Sequence, residues 1–439
     1  MKICVIGIGY VGLVTAAAFS DLGNDVICVD IDEEKIKGLQ KSDPIIPIYE
    51  PQLKELVKRN KEEKRLEFIT DIQRGIKESE IIFIAVGTPP KETGETDLSA
   101  VEAVAVDIGK YLNNGNKIIV NKSTSPVGTG DRLSRIIQEN QANQQHNFHV
   151  ISNPEFLKEG SAVQDFLEPD RIIIGCNHGD KKAAMKLLEL YAPLEVPMLM
   201  TDRVSAELIK YAANSFLATK ISFINAIADL CERVGADIRA VAKGMGYDSR
   251  IGSSFLGAGL GFGGSCFPKD SRSLIYSAEE LDYDFLLLRA AHEINQNRVT
   301  VLVKRMEDKL GALADKTIGI LGLSFKPNTD DIRDAKSIDL IRVLLEKGVS
   351  IKAYDPVAMP NARKLYHDLQ VTYCLDPYSV SVDAHALVLV TEWREFRHLD
   401  FPKIAASMLP PALFADGRNF YDPERMQKYG FDYLCLGLP

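Results

Sequence analysis

The N-terminal segment of the chain combines an apolar strand pattern, a glycine-rich turn and an apolar helix pattern. Gly7, Gly9 and Gly12 follow the strand in a Gly-x-Gly-x-x-Gly arrangement, and the helical run extends over residues 13–22. Glycines at these positions permit a tight turn and let a pyrophosphate approach the backbone amides at the helix N-terminus. The segment therefore predicts a Rossmann-type βαβ unit that binds a dinucleotide.

A second apolar segment, residues 26–29, ends at Asp30. An acid about 20 residues after the glycines is placed to hydrogen-bond an adenine-ribose 2′-hydroxyl. Because a carboxylate there repels a 2′-phosphate, the sequence favours NAD over NADP. The alternative is a Rossmann-like domain that binds no cofactor, but the strand, glycines, helix, second strand and acid are all present.

Further apolar segments alternate with helical patterns, which predicts a mainly parallel sheet. Thr88, Thr124 and Glu155 each follow such a segment. Ligands bind beyond the carboxyl ends of parallel strands, so we expect these three side chains to converge on one crevice.

A single cysteine lies in the glycine-rich loop 261–270. Cys266 is followed by Lys269 and Asp270, and small residues before it leave room for a substrate. A nearby cation favours the thiolate, and a carboxylate could move protons or position water, which suits covalent catalysis at an aldehyde or acyl carbon. The alternative is a buried structural cysteine in a tight turn.

Residues 202–233 carry an unusually long helix pattern that is apolar on more than one face. Such a helix is buried by more than one neighbour, so we interpret it as a spine between domains and a dimer surface. Lys210 and Asn214 are four residues apart and share a helix face. A lysine on a long helix is usually solvated, but its alanine-rich surroundings favour a functional role for Lys210.

A second strand, glycine turn, helix and strand pattern begins near Lys316 and ends at Asp355. Its linking loop, residues 324–333, is longer, lacks the third glycine and is basic at two points. This favours a nucleotide-like ligand other than a second standard dinucleotide. Arg418, just after another apolar segment, could bind a phosphate bidentately or form a surface salt bridge. The predicted fold class is α/β, with two Rossmann-like domains of mainly parallel sheets joined by a long central helix.

The length and composition limit the number of domains and the classes of partner. A chain of 439 residues has room for two or three domains, and a net charge of −9 argues against non-specific nucleic-acid binding. Seven scattered cysteines suggest a reducing cytoplasm and no metal cluster. No apolar run approaches the ~20 residues of a membrane span, so we expect no membrane partner.

Three blocks of the chain together resemble the UDP-glucose/GDP-mannose dehydrogenase family. The most specific are the cysteine loop and the Asn-Pro-Glu-Phe-Leu segment that begins at residue 153. The sequence Arg-Ile-Gly-x-x-Phe-Leu from residue 250 is similar to the UDP-glucose branch. The resemblance implies an N-terminal NAD-binding Rossmann domain over residues 1–200, a central helical dimerisation region with the cysteine loop over 201–300, and a C-terminal UDP-binding Rossmann-like domain over 301–439.

The resemblance also implies a four-electron oxidation. The C6 alcohol of UDP-glucose becomes a carboxylate while two NAD+ are reduced, through a thiohemiacetal and then a thioester on Cys266. Lys210 and Asn214 would stabilise the oxyanion, and Asp270, Glu155 and Thr124 would activate water and transfer protons.

Binding roles carry over from the family to matching positions. Implied NAD contacts are Gly7, Gly9, Tyr10, Val11, Gly12, Asp30, Lys35, Thr88, Thr124, Glu159, Lys269 and Arg333. Implied nucleotide-sugar contacts are Glu155, Phe156, Leu157, Lys158, Glu159, Lys210, Asn214, Arg250, Phe255, Leu256, Gly257, Ala258, Gly259, Gly263, Lys326 and Arg418. In relatives the equivalent of Arg250 reaches a neighbouring subunit's substrate, which implies a homodimer.

Two alternatives stay open at this point. One is the same reaction on another nucleotide sugar, GDP-mannose or a UDP-N-acetyl-hexosamine. The other is a non-catalytic, cofactor-binding relative. Intact Cys266 and Lys210 argue against the second, since their loss would have supported it.

Overall fold

A computed structural model describes residues 1–113, 115–141 and 146–438 of the chain. The chain divides into two compact units, the first covering Met1–Ala213 and the second running from Asn214 to the C-terminus.

The first unit alternates strands with helices. Its strands are β1 Lys2–Ile6, β2 Asp25–Val29, β3 Leu66–Ile69, β4 Ile81–Ile84, β5 Lys117–Asn121, β6 Phe148–Ser152, β7 Ile172–Gly175 and β8 Met198–Thr201. Its helices are α1 Tyr10–Asp21, α2 Glu33–Gln40, α3 Leu53–Glu62, α4 Ile72–Glu78, α5 Ser99–Tyr111, α6 Thr129–Glu139, α7 Ala162–Leu167 and α8 Lys181–Tyr191, with 3-10 turns at His178–Asp180 and Ala192–Leu194. Helix α9, Arg203–Val234, begins in this unit and ends in the second.

The strands of the first unit form one sheet in the order β3-β2-β1-β4-β5-β6-β7-β8. Neighbouring strands are parallel except β6 and β7, which pair antiparallel through Ser152 and Gly175. The first six positions have the strand order of dinucleotide-binding sheets, and the order reverses between β1 and β4. The crevice predicted for a ligand therefore lies beyond the carboxyl ends of these two strands.

Apolar side chains cover both faces of this sheet. One face packs against α1, α3, α7 and α8, with Phe19 and Phe166 at its centre. The other face packs against α4, α5 and α6 through residues such as Ile76, Val101 and Ile137. A sheet covered on both faces explains why its strands read as continuous apolar runs in the sequence.

The second unit begins with the larger part of α9 and continues through three further helices before its sheet. Its remaining elements are α10 Ile238–Gly246, α11 Phe267–Glu279, α12 Leu286–Leu310, β9 Thr317–Leu321, α13 Lys336–Glu346, β10 Ser350–Tyr354, α14 Met359–Leu365, β11 Val371–Tyr373, β12 Ala386–Leu389, a 3-10 turn at Arg394–His398, α15 Phe401–Ser407, β13 Leu413–Asp416, α16 Pro423–Lys428 and β14 Asp432–Cys435.

The second sheet is parallel throughout and has the order β11-β10-β9-β12-β13-β14. This order corresponds to the order β3-β2-β1-β4-β5-β6 in the first sheet, so both units are Rossmann-like. The predicted α/β fold class, with two mainly parallel sheets and a long helix in the middle of the sequence, is confirmed. Over the described ranges, no helix is both long enough and apolar enough to cross a lipid bilayer.

Candidate active site

The glycine turn after β1 fits a dinucleotide. Gly7 has a φ of +99°, and a Cβ there would lie 2.6 Å from the carbonyl oxygen of Ala85. A Cβ on Gly12 would lie 1.9 Å from the carbonyl oxygen of Gly7, whereas a Cβ on Gly9 would meet nothing within 4 Å. The first and third glycines are therefore required by the tight turn, and the second leaves an open surface.

Helix α1 starts at this open surface. Its N-cap residue is Gly9, no side chain caps it, and its first turn contains no acidic residue. The first turn of the helix thus supplies no competing carboxylate of its own, so the turn around Tyr10 and Val11 fits a pyrophosphate. The residues present therefore fit the dinucleotide that the sequence predicts.

Asp30 ties the end of β2 to the same turn. Its Oδ2 accepts a hydrogen bond from the Ile8 N–H at 2.7 Å, and its Oδ1 accepts one from the Asp32 N–H at 2.9 Å. The carboxylate is only partly buried, so it retains acceptor capacity toward a ribose. Lys35 lies nearby on α2, where its Nζ is 3.7 Å from Asp32 Oδ2.

The polar residues after β4 and β5 are brought together, as the sequence predicts. The Thr88 hydroxyl donates to the carbonyl oxygen of Thr124 at 2.7 Å. Thr124 in turn lines a small cleft with Lys210 and Glu207.

Glu155 and Lys210 form a buried ion pair. Lys210 Nζ lies 2.8 Å from Glu155 Oε1, and both side chains are 4% exposed. Glu155 Oε2 also accepts the Leu157 N–H at 2.6 Å. Burial by itself raises the pKa of Glu155, but the Lys210 and Lys122 ammonium groups and the Leu157 N–H outweigh it, so the pKa lies below its ordinary value. The first unit therefore holds an ionised carboxylate next to a cation.

Phe156 and a neighbouring cavity complete this part of the first unit. The Arg171 guanidinium lies 3.8 Å from the centre of the Phe156 ring, and Lys210 Nζ lies 5.5 Å from it. A cavity of about 320 Å³ runs along Glu155, Phe156 and Arg171. Lys158 is exposed on the cavity wall, where it pairs with Asp165 at 3.0 Å.

Lys122 lies at the same cavity, and sequence reasoning assigned it no role. It is fully buried, and its Nζ donates to Asn153 Oδ1 at 3.1 Å and to the Tyr191 hydroxyl at 3.2 Å. The pKa of Lys122 falls from 10.5 to about 8, because burial, and to a smaller extent the Lys210 charge, lower it more than the Glu155 carboxylate raises it. A lysine two residues after the apolar run Ile118-Ile-Val120 was the signal that could have indicated this.

Two more acids, to which sequence reasoning assigned no role, hold the loops of this site. Glu50 accepts the N–H groups of Gly160 and Ala162 at 2.7 and 2.8 Å, which fixes the backbone that follows the Asn-Pro-Glu-Phe-Leu segment. Glu207, one turn before Lys210, accepts from Gly128 N, Gly130 N and the hydroxyl of Ser152.

The second unit contains the cysteine loop. Cys266 is the N-cap residue of α11 and is partly exposed, a position where the helix dipole favours a thiolate. Asp270, 1% exposed, accepts from Asn214 Nδ2 at 2.6 Å and pairs with Lys269 Nζ at 2.6 Å. Asn214 of α9 is thus brought to Lys269 and Asp270, which lie on the first turn of the helix that Cys266 caps.

Residues 255–264 form a loop that precedes the cysteine and packs closely against neighbouring backbone. Phe255 has a φ of +63°, an uncommon value for a residue with a side chain. A Cβ on Gly259 would lie 2.6 Å from the carbonyl oxygen of Gly417, and one on Gly263 would lie 2.3 Å from that of Asp334. Leu256 and Ala258 are buried, while Gly257 is exposed and has open space where a Cβ would be. Gly259 and Gly263 therefore allow close backbone contacts, and Gly257 leaves an open surface.

The basic residues predicted in the second unit differ in their surroundings. Arg418 Nε donates to the Val390 carbonyl and its Nη1 to the Gly261 carbonyl, and the guanidinium pairs with Glu392 at 3.3 Å. Arg333 pairs with Asp331, and Lys326 lies over the Phe325 ring at 5.6 Å.

Arg250 is not brought to the cysteine loop. Its guanidinium pairs with Asp248 at 2.6 Å, and its side chain is 88% exposed.

Asp355 ends β10 as Asp30 ends β2, but its environment is closed. Its side chain is fully buried and accepts from the N–H groups of Leu323 and Ala358 and from Trp393 Nε1, among other donors. A carboxylate saturated in this way is not available to a ribose. The second turn thus differs from a standard dinucleotide turn, as its sequence indicates. Nowhere in the described ranges do three or more potential ligand side chains form a metal-binding group.

Comparisons with known proteins cover all parts of the chain. Models of the UDP-glucose/GDP-mannose dehydrogenase family match in three parts: the NAD binding domain at residues 1–195, the central domain at 204–297 and the UDP binding domain at 319–423. The chain is 48% identical over 438 residues to UDP-glucose 6-dehydrogenase TuaD of Bacillus subtilis (strain 168), covering 100% of the chain and 93% of that protein. It is 47% identical to UDP-glucose 6-dehydrogenase of Rhizobium meliloti (strain 1021), with 100% of both chains covered.

A solved structure agrees with these matches. The UDP-glucose dehydrogenase of Pyrobaculum islandicum superposes with a TM-score of 0.92 at 38% identity, covering 100% of this chain and 98% of that one. The agreement extends over the whole length, so it includes both Rossmann-like units. The chain belongs to the UDP-glucose/GDP-mannose dehydrogenase family.

Proposed function

We propose that the protein is an NAD-dependent UDP-glucose 6-dehydrogenase that oxidises the C6 alcohol of UDP-glucose to the carboxylate of UDP-glucuronate. The observation that carries the proposal is Cys266 at the N-terminus of α11, beside the buried Asn214–Asp270 pair. A thiol in that position is needed for an aldehyde to become an acid through a covalent intermediate, and an ordinary alcohol dehydrogenase has no use for it. The full-length relatives that carry this enzyme name support the substrate.

The glycine turn and Asp30 of the first unit hold the cofactor in this proposal. NAD+ supplies the hydride acceptor for each of the two oxidations. The open surface at Gly9 and the uncapped start of α1 receive its pyrophosphate, and Asp30 receives the adenine ribose. Lys35, Thr88, Thr124, Glu159, Lys269 and Arg333 are the further proposed contacts.

The first oxidation requires removal of the C6 hydroxyl proton. Glu155 is ionised and held by Lys210, so it can accept a proton directly or through a water held with Thr124. Lys210 and Asn214 donate to the oxygen as negative charge develops on it. The product of this step is the C6 aldehyde.

The second oxidation proceeds on Cys266. Its thiolate adds to the aldehyde carbon, and the carbonyl oxygen takes up a proton to give a thiohemiacetal. Oxidation of the thiohemiacetal gives a thioester with loss of that proton. Asp270, or Glu155 with Thr124, then activates a water that attacks the thioester carbon. The C–S bond breaks with the Cys266 thiolate as the leaving group, and the carboxylate product is released.

The nucleotide sugar is bound by the loops around these groups. The proposed contacts are Phe156 to Glu159, Arg250, Phe255 to Gly259, Gly263, Lys326 and Arg418. Because the guanidinium of Arg418 already donates to the Gly261 carbonyl, its contribution includes holding loop 255–264.

We further propose a homodimer formed through α9, and three functional regions at 1–200, 201–300 and 301–439. Phe216, Phe223 and Leu230 are spaced by seven residues on one helix face and are 69%, 50% and 53% exposed. An exposed apolar row of this kind supports contact with a second copy. Free cysteines at all seven positions support a cytoplasmic location.

A nucleotide-sugar panel tests the proposal. NADH release is measured with UDP-glucose, GDP-mannose and UDP-N-acetylglucosamine, and the product is identified by mass spectrometry. We expect two NADH for each UDP-glucuronate formed and slow turnover of the other sugars. One NADH per sugar consumed, or faster turnover of GDP-mannose, would contradict the proposal.

A further inference from the structure

Within the second unit, two long helices hold the backbone of the loop before Cys266. Asn225 on α9 accepts the Gly259 N–H through its Oδ1 at 2.8 Å. Arg298 on α12 donates its Nε–H to the carbonyl oxygen of the same Gly259 at 3.1 Å. Both polar groups of one loop residue are therefore bound by side chains more than 30 residues away in sequence.

Three residues further along, a single side chain repeats this arrangement. Asn295 on α12 accepts the Phe262 N–H at 2.8 Å and donates to the Phe262 carbonyl oxygen at 3.0 Å. A Cβ on Gly261 would lie 2.2 Å from Asn295 Oδ1, so the intervening residue must be glycine for this amide to reach the backbone. The contact thus depends on both the asparagine and the glycine.

The three holding side chains are among the most buried polar groups of the unit. Asn225, Asn295 and Arg298 are 0%, 3% and 1% exposed. Arg298 also pairs with Asp229 at 2.5 Å, which balances its charge. Their loop-facing atoms are paired, whereas Asn225 Nδ2 and Arg298 Nη2 have no hydrogen-bond partner among the described residues. Because the paired atoms would lose their partners in any other arrangement, they favour this one loop conformation.

The opposite side of the loop is held as well. The Leu260 N–H donates to the Gly417 carbonyl at 2.9 Å, and the Gly264 N–H donates to the Arg333 carbonyl at 2.9 Å. With residues 259–264 anchored from both sides, the exposed Gly257 and its neighbours are presented in one fixed geometry.

We propose that Asn225, Asn295 and Arg298 are positioning residues that pre-organise loop 255–263 for the nucleotide sugar. They act through the loop backbone and do not touch the substrate. A loop fixed before binding does not lose conformational freedom on binding, so the three side chains raise affinity for the nucleotide sugar without forming a contact to it. This inference rests on the proposed function of the loop as a substrate contact.

A purely structural role for these residues, joining α9 to α12, makes a different prediction. Ser222 on α9 provides the matched control because its hydroxyl donates to the Ala291 carbonyl of α12 at 2.5 Å. It is 1% exposed, and its hydrogen bond joins the same two helices without contacting the loop. Ser222→Ala therefore weakens the helix pair and leaves the loop anchors in place.

The test compares Asn295→Ala, Asn225→Ala and Ser222→Ala in the full-length enzyme. For the two asparagine variants we expect KM for UDP-glucose, and Kd for UDP by calorimetry, to rise on the order of tenfold. We expect kcat and KM for NAD to stay within about twofold, because Cys266 is also held as the N-cap residue of α11 and the glycine turn proposed for the cofactor lies in the first unit. Ser222→Ala lowers Tm and leaves the KM for UDP-glucose unchanged.

Asn295→Asp keeps an acceptor for the Phe262 N–H but places a buried carboxylate against the Phe262 carbonyl oxygen. Because a buried, unpaired charge is unfavourable, a rise in KM at least as large as in Asn295→Ala is expected. An unchanged KM in Asn295→Ala, or an equal rise in Ser222→Ala, would overturn the inference.

Hydrogen exchange separates this inference from the proposed function. In the ligand-free enzyme, the Gly259 and Phe262 amides should exchange faster in Asn225→Ala and Asn295→Ala, respectively, and not in Ser222→Ala. If the unmodified enzyme does not oxidise UDP-glucose, the proposed function fails while this exchange result still tests the anchors. Unchanged exchange in the asparagine variants refutes the anchoring itself.

Discussion

Replacing Lys122 with methionine should change how the stability of the first unit depends on pH. Lys122 is fully buried, its two hydrogen-bond acceptors are the neutral Asn153 and Tyr191, and its pKa falls from 10.5 to about 8. Below about pH 8 this lysine is charged in both the folded and unfolded chain, so the full cost of burying the charge is present. Between the two pKa values only the unfolded chain keeps the proton, so the unfolding free energy of the parent rises with pH.

The size of the effect follows from the two pKa values. One pKa unit is worth about 1.4 kcal/mol, so the drop from 10.5 to about 8 corresponds to a cost of about 3 kcal/mol at neutral pH. Between about pH 7 and about pH 9.5 the unfolding free energy of the parent should therefore rise by about 2 kcal/mol, as the buried lysine loses its proton. Lys122→Met has no such proton, and it loses two hydrogen bonds worth about 1 kcal/mol each. The variant should therefore be at least as stable as the parent at pH 7 and lose this advantage at high pH.

Hydrogen exchange of peptides from β4 and β5 measures the opening free energy of the first unit across this pH range. The control is Lys158→Met, the same substitution at a lysine on the same cavity whose side chain is 60% exposed. Its stability difference from the parent should stay constant with pH. A constant difference for Lys122→Met as well would refute the argument that Lys122 is a desolvated cation.

The remaining predictions concern cofactor choice, chemistry, substrate binding and assembly. Asp30→Ala should raise the KM for NAD on the order of tenfold and lessen the discrimination against NADP, measured by initial rates with both cofactors. Cys266→Ala should make almost no UDP-glucuronate, and Cys266→Ser should accumulate an ester adduct visible by intact-mass spectrometry; UDP-glucuronate formation by the alanine variant at the parental rate would exclude the covalent mechanism. Lys326→Ala and Arg418→Ala should weaken UDP binding in calorimetry about tenfold or more while NAD binding stays within about twofold. Phe223→Asp should yield a monomer in light scattering, since an aspartate cannot be buried unpaired in an apolar interface.

Local patterns predicted the parts of the fold that depend on short stretches of sequence. The turn at Gly7 to Gly12, Asp30 after β2 and the cysteine loop before α11 are each set within about thirty residues. The two parallel sheets followed from apolar runs that alternate with helix patterns, because strands buried on both faces have no polar alternation.

The residues to which sequence reasoning assigned no role act over long distances. Glu50 binds amides 110 and 112 residues away, and Glu207 binds amides 77 and 79 residues away. Asn225 and Asn295 bind loop amides 34 and 33 residues away. Nothing in the local sequence of an isolated Glu or Asn indicates which distant backbone group it will meet, since only the tertiary fold decides that.

The contacts of Arg418 also depend on the tertiary fold and could be predicted only in part. The sequence left open a phosphate contact and a surface salt bridge. A salt bridge with Glu392 is present, but the guanidinium also donates to the carbonyls of Val390 and Gly261. A phosphate contact stays a prediction, and the carbonyl contacts depend on loops that no sequence pattern brings together.

The closed turn at Asp355 gives the second unit an intrinsic optical probe. The one tryptophan of the chain, Trp393, is 6% exposed and donates its indole N–H to Asp355 at 3.0 Å. Tryptophan emission depends on the polarity and hydrogen bonding around the indole. Fluorescence that is excited selectively at tryptophan therefore reports on this unit alone. A titration with UDP followed by this emission would detect changes in the second unit with no contribution from the first. Unfolding of the two units could likewise be separated by comparing emission with circular dichroism, with no label attached to the protein.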